Sequence, residues 1–284
     1  GGASVPGVRP ASIVFATGAA WRMAVMLTAI AVPLAVLAAL AGLFMPDELY
    51  GEPGLAAIIQ GQDLVTLATV PLLAASMWAA RRGSARAVVV WAGLLGYLLY
   101  TYTGAALVYD FNRLFPVYLA LFSLSGFALV ALAVALDVEA FRARFDGREP
   151  RRAVAVFLAL MAVVLAIGEV GQVVAAVVSG TAPVIAGTDA PLNFIFALDL
   201  GAIVPLSLIA AAWLWRGASW GYLLGGLMLV KAATMGLALI SMAWFAERAG
   251  LPGDPLVPLW GVIAAGGFAG TVWLLRHCRP TPRA

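Results

Sequence analysis

The chain has 284 residues, 63% apolar and 11% charged, with a mean hydropathy of +1.00 and a formal net charge of +3. A soluble domain carries about 25% charged residues, so the composition excludes a water-soluble fold and points to an integral membrane protein. The basic balance does not indicate nucleic acid, because the arginines stand in short loops between apolar runs, where a positive-inside signal accounts for them.

A spanning helix needs about 20 mostly apolar residues. The segments 23–44, 60–80, 87–108, 115–136, 153–178, 193–215, 220–245 and 258–275 qualify. They lack the alternation of barrel strands, so the expected fold class is an all-α polytopic bundle. The N-terminal tail, 1–22, holds Arg9 and Arg22. The first span carries Ala39-Leu40-Ala41, which resembles a signal-peptidase site. Its apolar run exceeds the roughly 7–15 residues of a signal peptide, so it reads as a retained span.

The second span opens on Gln60, Gln62 and Asp63 and contains Pro71. Gln62-Asp63 reads either as a helix cap or as interior polar groups. In the third span Tyr97, Tyr100 and Gly104 share one helical face, while Tyr102 and Tyr109 fit an aromatic belt. The linker 137–152, "DVEAFRARFDGREPRR", reads as a short interfacial helix with Phe141 and Phe145 toward lipid and arginines toward water. Asp146-Gly147 would stop it, and Pro150 would begin the fifth span. Glu169 lies in the fifth span, Asp199 and Pro205 in the sixth, and Lys231 in the seventh. The tail 276–284 holds the lone His277 and lone Cys278. That pair excludes a disulfide framework and leaves no ligand set for haem, zinc or iron–sulfur, so no cofactor is expected.

The loops differ in charge. Arg81, Arg82 and Arg86, the linker arginines, Arg216 and the tail arginines fall on one side of an eight-span bundle. The opposite loops are acidic: Asp47, Glu48, Glu52, Asp110, Asp189, Glu247 and Asp254. Both termini are therefore expected in the cytoplasm.

The halves 23–136 and 153–275 also look alike. "QDLVTLATVPLLAASMWAARRGS" (62–84) resembles "LDLGAIVPLSLIAAAWLWRGAS" (198–219), matching Asp63 with Asp199, Pro71 with Pro205 and Arg82-Gly83 with Arg216-Gly217. "FPVYLALFSLSGFALV" (115–130) resembles "VPLWGVIAAGGFAGTV" (257–272). Two parallel four-helix repeats, with a site between them, are expected.

Charge inside the bilayer usually faces the bundle interior and is paired. Here it comprises Asp63, Glu169, Asp199 and Lys231, the only lysine among 17 basic residues. From the predicted spans, the two aspartates lie roughly 5–10 Å below the outer helix ends, Glu169 about 15 Å and Lys231 roughly 20 Å. Gln60, Gln62, Gln172, Asn193, Tyr100 and Thr103 collect in the same half. The expected ligand-binding set is Lys231, Asp199, Glu169, Asp63, Tyr100 and Gln62, lining an outward polar cavity with Lys231 near its floor. The competing expectation is a structural ion pair of Lys231 with Glu169 or Asp199. Gly221/Gly225 and Gly266/Gly270 are spaced for close helix packing inside the monomer.

No P-loop, dinucleotide fingerprint, HExxH or GxSxG motif occurs, and no residue is assigned a catalytic role. "QGQDLVTL", "LGYLLYTY", "FALDLGAIVPLSLIAAAWLWR" and "LMLVKA" resemble a group of uncharacterised prokaryotic eight-span membrane proteins. The resemblance covers most of the chain and implies no activity. The Arg- and Ala-rich usage is similar to that of high-GC bacteria, so a bacterial inner membrane is the expected location. The functional expectation is a permease-like protein binding a small anionic or zwitterionic solute or a lipid head group, with membrane lipid as partner. The alternatives are a non-transporting scaffold that binds lipid or a partner helix, an intramembrane lipid-modifying enzyme, and a retinal-type protein. "GGLMLVKAATMG" lacks the acidic residue that microbial rhodopsins place one turn before their lysine.

Overall fold

The computed structural model describes residues 18–279. Among them it is helical, with no strand beyond two isolated bridges. The elements are α1 (Ala19–Phe44), α2 (Pro46–Tyr50), α3 (Pro53–Arg81), α4 (Ala85–Val108), α5 (Phe115–Ala135), α6 (Val138–Arg142), α7 (Arg151–Ser179), α8 (Asn193–Leu198), a π-helical segment (Asp199–Ile203), α9 (Val204–Arg216), α10 (Ser219–Arg248) and α11 (Val257–Arg276). α8, the π segment and α9 form one continuous span. Eight helices are long and apolar enough to cross a membrane, and the chain is built as a multi-pass membrane protein. Arg9 and Arg283 lie outside the described residues, and Arg22 sits in the first turn of α1 rather than in a tail.

Local signals set the ends. Proline occupies the first turn of α3, α5 and α11, where its missing N–H costs nothing. The turns after α3 and α9 reverse through Gly83 (φ 92°) and Gly217 (φ 71°), a left-handed conformation that favours glycine. α3 begins at Pro53, earlier than expected, because the glutamines depress hydropathy while remaining good helix formers. Asp63 therefore lies about 15 Å into α3, too deep to cap it.

The linker also departs from expectation. α6 is only five residues long. Phe141 is fully buried and Phe145 nearly so, and Phe145 packs 4.6 Å from the ring of Tyr222 on α10. These rings face protein rather than lipid, because the tail folds back over them: Phe145 bridges Cys278, and the Asp146 N–H donates to the His277 carbonyl at 3.1 Å. Gly147 has φ 79° and Pro150 caps α7.

The two halves share four neighbour relations, although α7 meets α11 only lightly and α10 also touches α7. α1 packs on α3 and α5, and α4 packs on α3 and α5; likewise α7 packs on α9 and α11, and α10 packs on α9 and α11. Across the halves, α10 packs on α3 and α4, and α8 touches α4. α4 and α10 form the centre, 72% and 61% buried along their apolar windows against 22% for α11. The outer helices turn apolar side chains outward, such as Leu160, Ile167 and Val174 on α7, as lipid contact requires.

Small residues allow the close crossings. A methyl group at Gly267 would meet the Ala233 backbone nitrogen at 2.6 Å, and one at Gly61 would meet the Met242 backbone. Gly221 and Gly225 pack on α9 around Leu214, Gly266 on Phe157 and Gly270 on Leu229, all within the monomer. Gly93 lies against Val230, and Gly96 lies against Leu227. Trp91 Nε1 donates to Thr28 Oγ1 at 3.0 Å, tying α4 to α1.

Candidate functional site

Two buried polar centres lie in the bundle. The first surrounds Lys231, midway along α10 and 5% exposed. Its Nζ sits 4.1 Å from the centroid of the Tyr100 ring on α4. A desolvated cation over a ring face gains about 2 kcal/mol. Asp199 is the carboxylate whose charge acts on Lys231. The Glu169 carboxyl on α7 adjoins that of Asp199, and the Tyr100 hydroxyl reaches the same aspartate. Glu169 is 6% exposed, and its Oε2 has no hydrogen-bond partner among the described residues.

The ammonium is not locked to a carboxylate. Among the described residues the ion pairs within 4.0 Å are Arg113–Glu48 and His277–Asp146. No recorded hydrogen bond among those residues uses Lys231 Nζ. The Lys231 backbone carbonyl accepts from Thr234 Oγ1 at 3.1 Å.

The π segment explains how Asp199 is presented. The Val204 N–H donates to the Asp199 carbonyl, one residue further than in an α-helix. Pro205 follows, and in a regular helix its ring would collide with the Gly201 carbonyl. The wider turn removes that clash and carries Asp199 at its start. α8 is held on α4 by Phe194, whose ring occupies the space over Gly104.

The second centre surrounds Asp63 on α3, 6% exposed. Asp63 Oδ2 accepts a 2.8 Å hydrogen bond from the Tyr50 hydroxyl. Tyr50 comes from α2, a short helix between α1 and α3 where the sequence predicts an acidic loop. Proline at its first position and Asp47 and Glu48 in its first turn mark it as helical. Burial, with the Asp63 carboxylate beside it, pushes the Tyr50 phenol far above its ordinary value. A side chain at Gly42 would strike Asp63 and Tyr50, so α1 needs glycine there. Asn112 Nδ2 donates to the Leu49 carbonyl at 2.9 Å and Gln60 Nε2 to the Leu43 carbonyl at 3.0 Å, fastening this end.

The expected set therefore separates. Lys231, Asp199, Glu169 and Tyr100 come together. Asp63 is bound by Tyr50, and no recorded interaction joins it to Lys231. Gln62 is half-buried, and its backbone carbonyl accepts from Thr66 Oγ1 at 2.9 Å. Tyr97 does not share a partner with Tyr100: its hydroxyl lies 2.9 Å from Thr66 Oγ1 on α3. Gln172 is exposed, and Tyr102 is buried against Tyr118 instead of standing in an outer belt. Among the described residues, no group of three or more His, Cys, Asp or Glu side chains converges on a metal position.

The Lys231 centre gathers an ammonium, a phenol and two carboxyls, with Lys231 and Glu169 both buried. The chain matches no family model, no curated protein and no solved structure.

Proposed function

We propose that the chain is a permease-like membrane protein whose site takes a small anionic or zwitterionic solute, or a lipid head group, at Lys231. An anionic group would bind Lys231 Nζ. A cationic group of the same solute would bind Asp199 and Glu169, with Tyr100 closing the site from the other half. The observation carrying this reading is that the buried ammonium rests on the Tyr100 ring and not against a carboxylate.

In this reading the halves are parallel repeats, and both termini are cytoplasmic. The shared neighbour relations support the repeat. So does a spacing: Tyr97 and Lys231 stand as far apart as Arg82 and Arg216, and that offset exchanges the Gly93–Val230 contact with Gly96–Leu227. The arginine-bearing ends meet, with Arg86 bonded to the tail and Arg151 beside Gly217.

The test is a thermal-shift and uptake screen of amino acids, carboxylates and soluble head groups on the purified chain. A solute that stabilises the wild type and not Lys231→Met is expected; equal responses would remove Lys231 from the site. A second reading, a non-transporting scaffold that binds lipid or a partner helix, is favoured by the closure over Lys231. It predicts no solute response, and loss of stability in Lys231→Met that Glu169→Gln restores.

A further inference from the structure

We propose that the arginine-lined depression beside the C-terminal tail is a binding site for a phosphate group, supplied by an anionic phospholipid. The depression has a volume of about 410 Å³ and lies where the start of α4, the α6–α7 linker and the end of α11 meet. Arg86, Arg148, Arg276 and Arg279 line it, with Asp146 as its one carboxylate.

The framework is built by hydrogen bonds. Arg86 Nε donates to the Cys278 carbonyl at 2.8 Å, satisfying a carbonyl beyond the end of α11. The Arg279 N–H donates to the Arg144 carbonyl at 2.8 Å. Asp146 is taken twice: its Oδ1 accepts from the Arg148 N–H at 2.9 Å, and it pairs with His277 Nδ1 at 3.1 Å. The Arg148 N–H, followed by His277, holds its carboxyl below the usual carboxylate range. The guanidinium groups of Arg148, Arg276 and Arg279 have no hydrogen bond or ion pair among the described residues. Three forked donors around a preformed hollow suit a phosphate, which guanidinium groups bind in bidentate fashion.

The position favours lipid as the source. Trp273, half exposed, lies one turn before Arg276. At the same end Arg82 covers the ring of exposed Trp78 at 3.9 Å, and Arg152 lies 5.4 Å from that of Trp215. Exposed tryptophans beside arginines mark the head-group level of a membrane, and basic hollows between helix ends there bind anionic head groups.

The experiment titrates the detergent-solubilised full chain with short-chain phosphatidylglycerol, short-chain phosphatidylcholine or inorganic phosphate, reading thermal shift and bound lipid by native mass spectrometry. Phosphatidylglycerol is expected to bind and stabilise where phosphatidylcholine does not, with affinity roughly tenfold weaker in Arg148→Gln/Arg279→Gln, which loses two phosphate contacts. Arg82→Gln/Arg152→Gln, at the same level but outside the hollow, should stay within twofold of wild type. Stabilisation by inorganic phosphate alone, lost in the hollow variant, supports the phosphate site and moves its source from lipid to solution. Equal weakening by both variants, or binding that ignores the net charge of the head group, overturns the proposal.

Discussion

Asp63 and Asp199 each stand in a span that carries a proline further along, yet they are held differently. Asp63 is enclosed in an unbroken α-helix and takes a phenolic hydrogen bond from Tyr50. Asp199 starts a π segment, is half-buried, and adjoins Glu169, Tyr100 and Lys231. Two local differences separate them. α2 delivers a tyrosine over Asp63, whereas the 180–192 connection that precedes α8 closes by a Val184–Pro191 bridge and carries no aromatic residue. The prolines also differ in spacing, since Pro205 stands closer to Asp199 than Pro71 does to Asp63, and only the second helix widens. One acid is closed off by a tyrosine from a neighbouring helix, and the other stands in a group with a second carboxyl, a phenol and an ammonium.

Mutations can break this comparison, beginning with the largest effect. Lys231→Met removes the cation over the Tyr100 ring and the positive charge that acts on Asp199, and should cost about 2 kcal/mol. Thermal unfolding in detergent reads this loss, and Lys231→Met/Glu169→Gln should regain much of it. If the single substitution is harmless, the polar centre is not electrostatically coupled. Tyr50→Phe leaves Asp63 buried without its donor and should cost about 1–3 kcal/mol. Because Tyr50 belongs to the other centre, solute affinity at Lys231 should not change. A matching loss of affinity would merge the two centres.

Pro205→Ala sharpens the comparison at the backbone. Without the ring the turn can tighten to an α-helix, rotating Asp199 away from Lys231; solute affinity should fall several-fold while stability changes by less than about 1 kcal/mol. Pro71→Ala should leave affinity unaltered. The smallest effect concerns the tail. Burial pushes the Cys278 thiol up to about 11 from an ordinary 9.0. A folded value above the unfolded one means that the thiol's contribution is complete below pH 9 and fades as pH rises toward 11. Asp146 is shifted the other way, so its contribution is present above 3.8 and lost as pH falls below it. Maleimide labelling of Cys278 should therefore be slowest, relative to its thiolate fraction, between those limits.

The spans were legible because a bilayer demands uninterrupted apolar helices, and their composition records that demand. The grouping of Lys231 with Asp199 and Glu169 was legible too, since charge in a span needs company. Tyr50 was not, because a five-residue helix leaves no hydropathy signal and its target lies 13 residues away. Phe141 and Phe145 were misread because their spacing fits a lipid-facing helix equally well, and only the returning tail decides their environment. The separation of Tyr97 from Tyr100 follows from α4 being covered on most sides, which periodicity alone does not reveal.

The most direct measurement uses the fact that Lys231 is the sole lysine in the chain. A small membrane-permeant amine reagent, followed by peptide mass spectrometry, reads that one ammonium in native membranes. The account predicts slow labelling of the folded protein that a bound solute suppresses. Labelling that occurs only after unfolding would show an ammonium permanently enclosed, and would contradict a ligand site at Lys231.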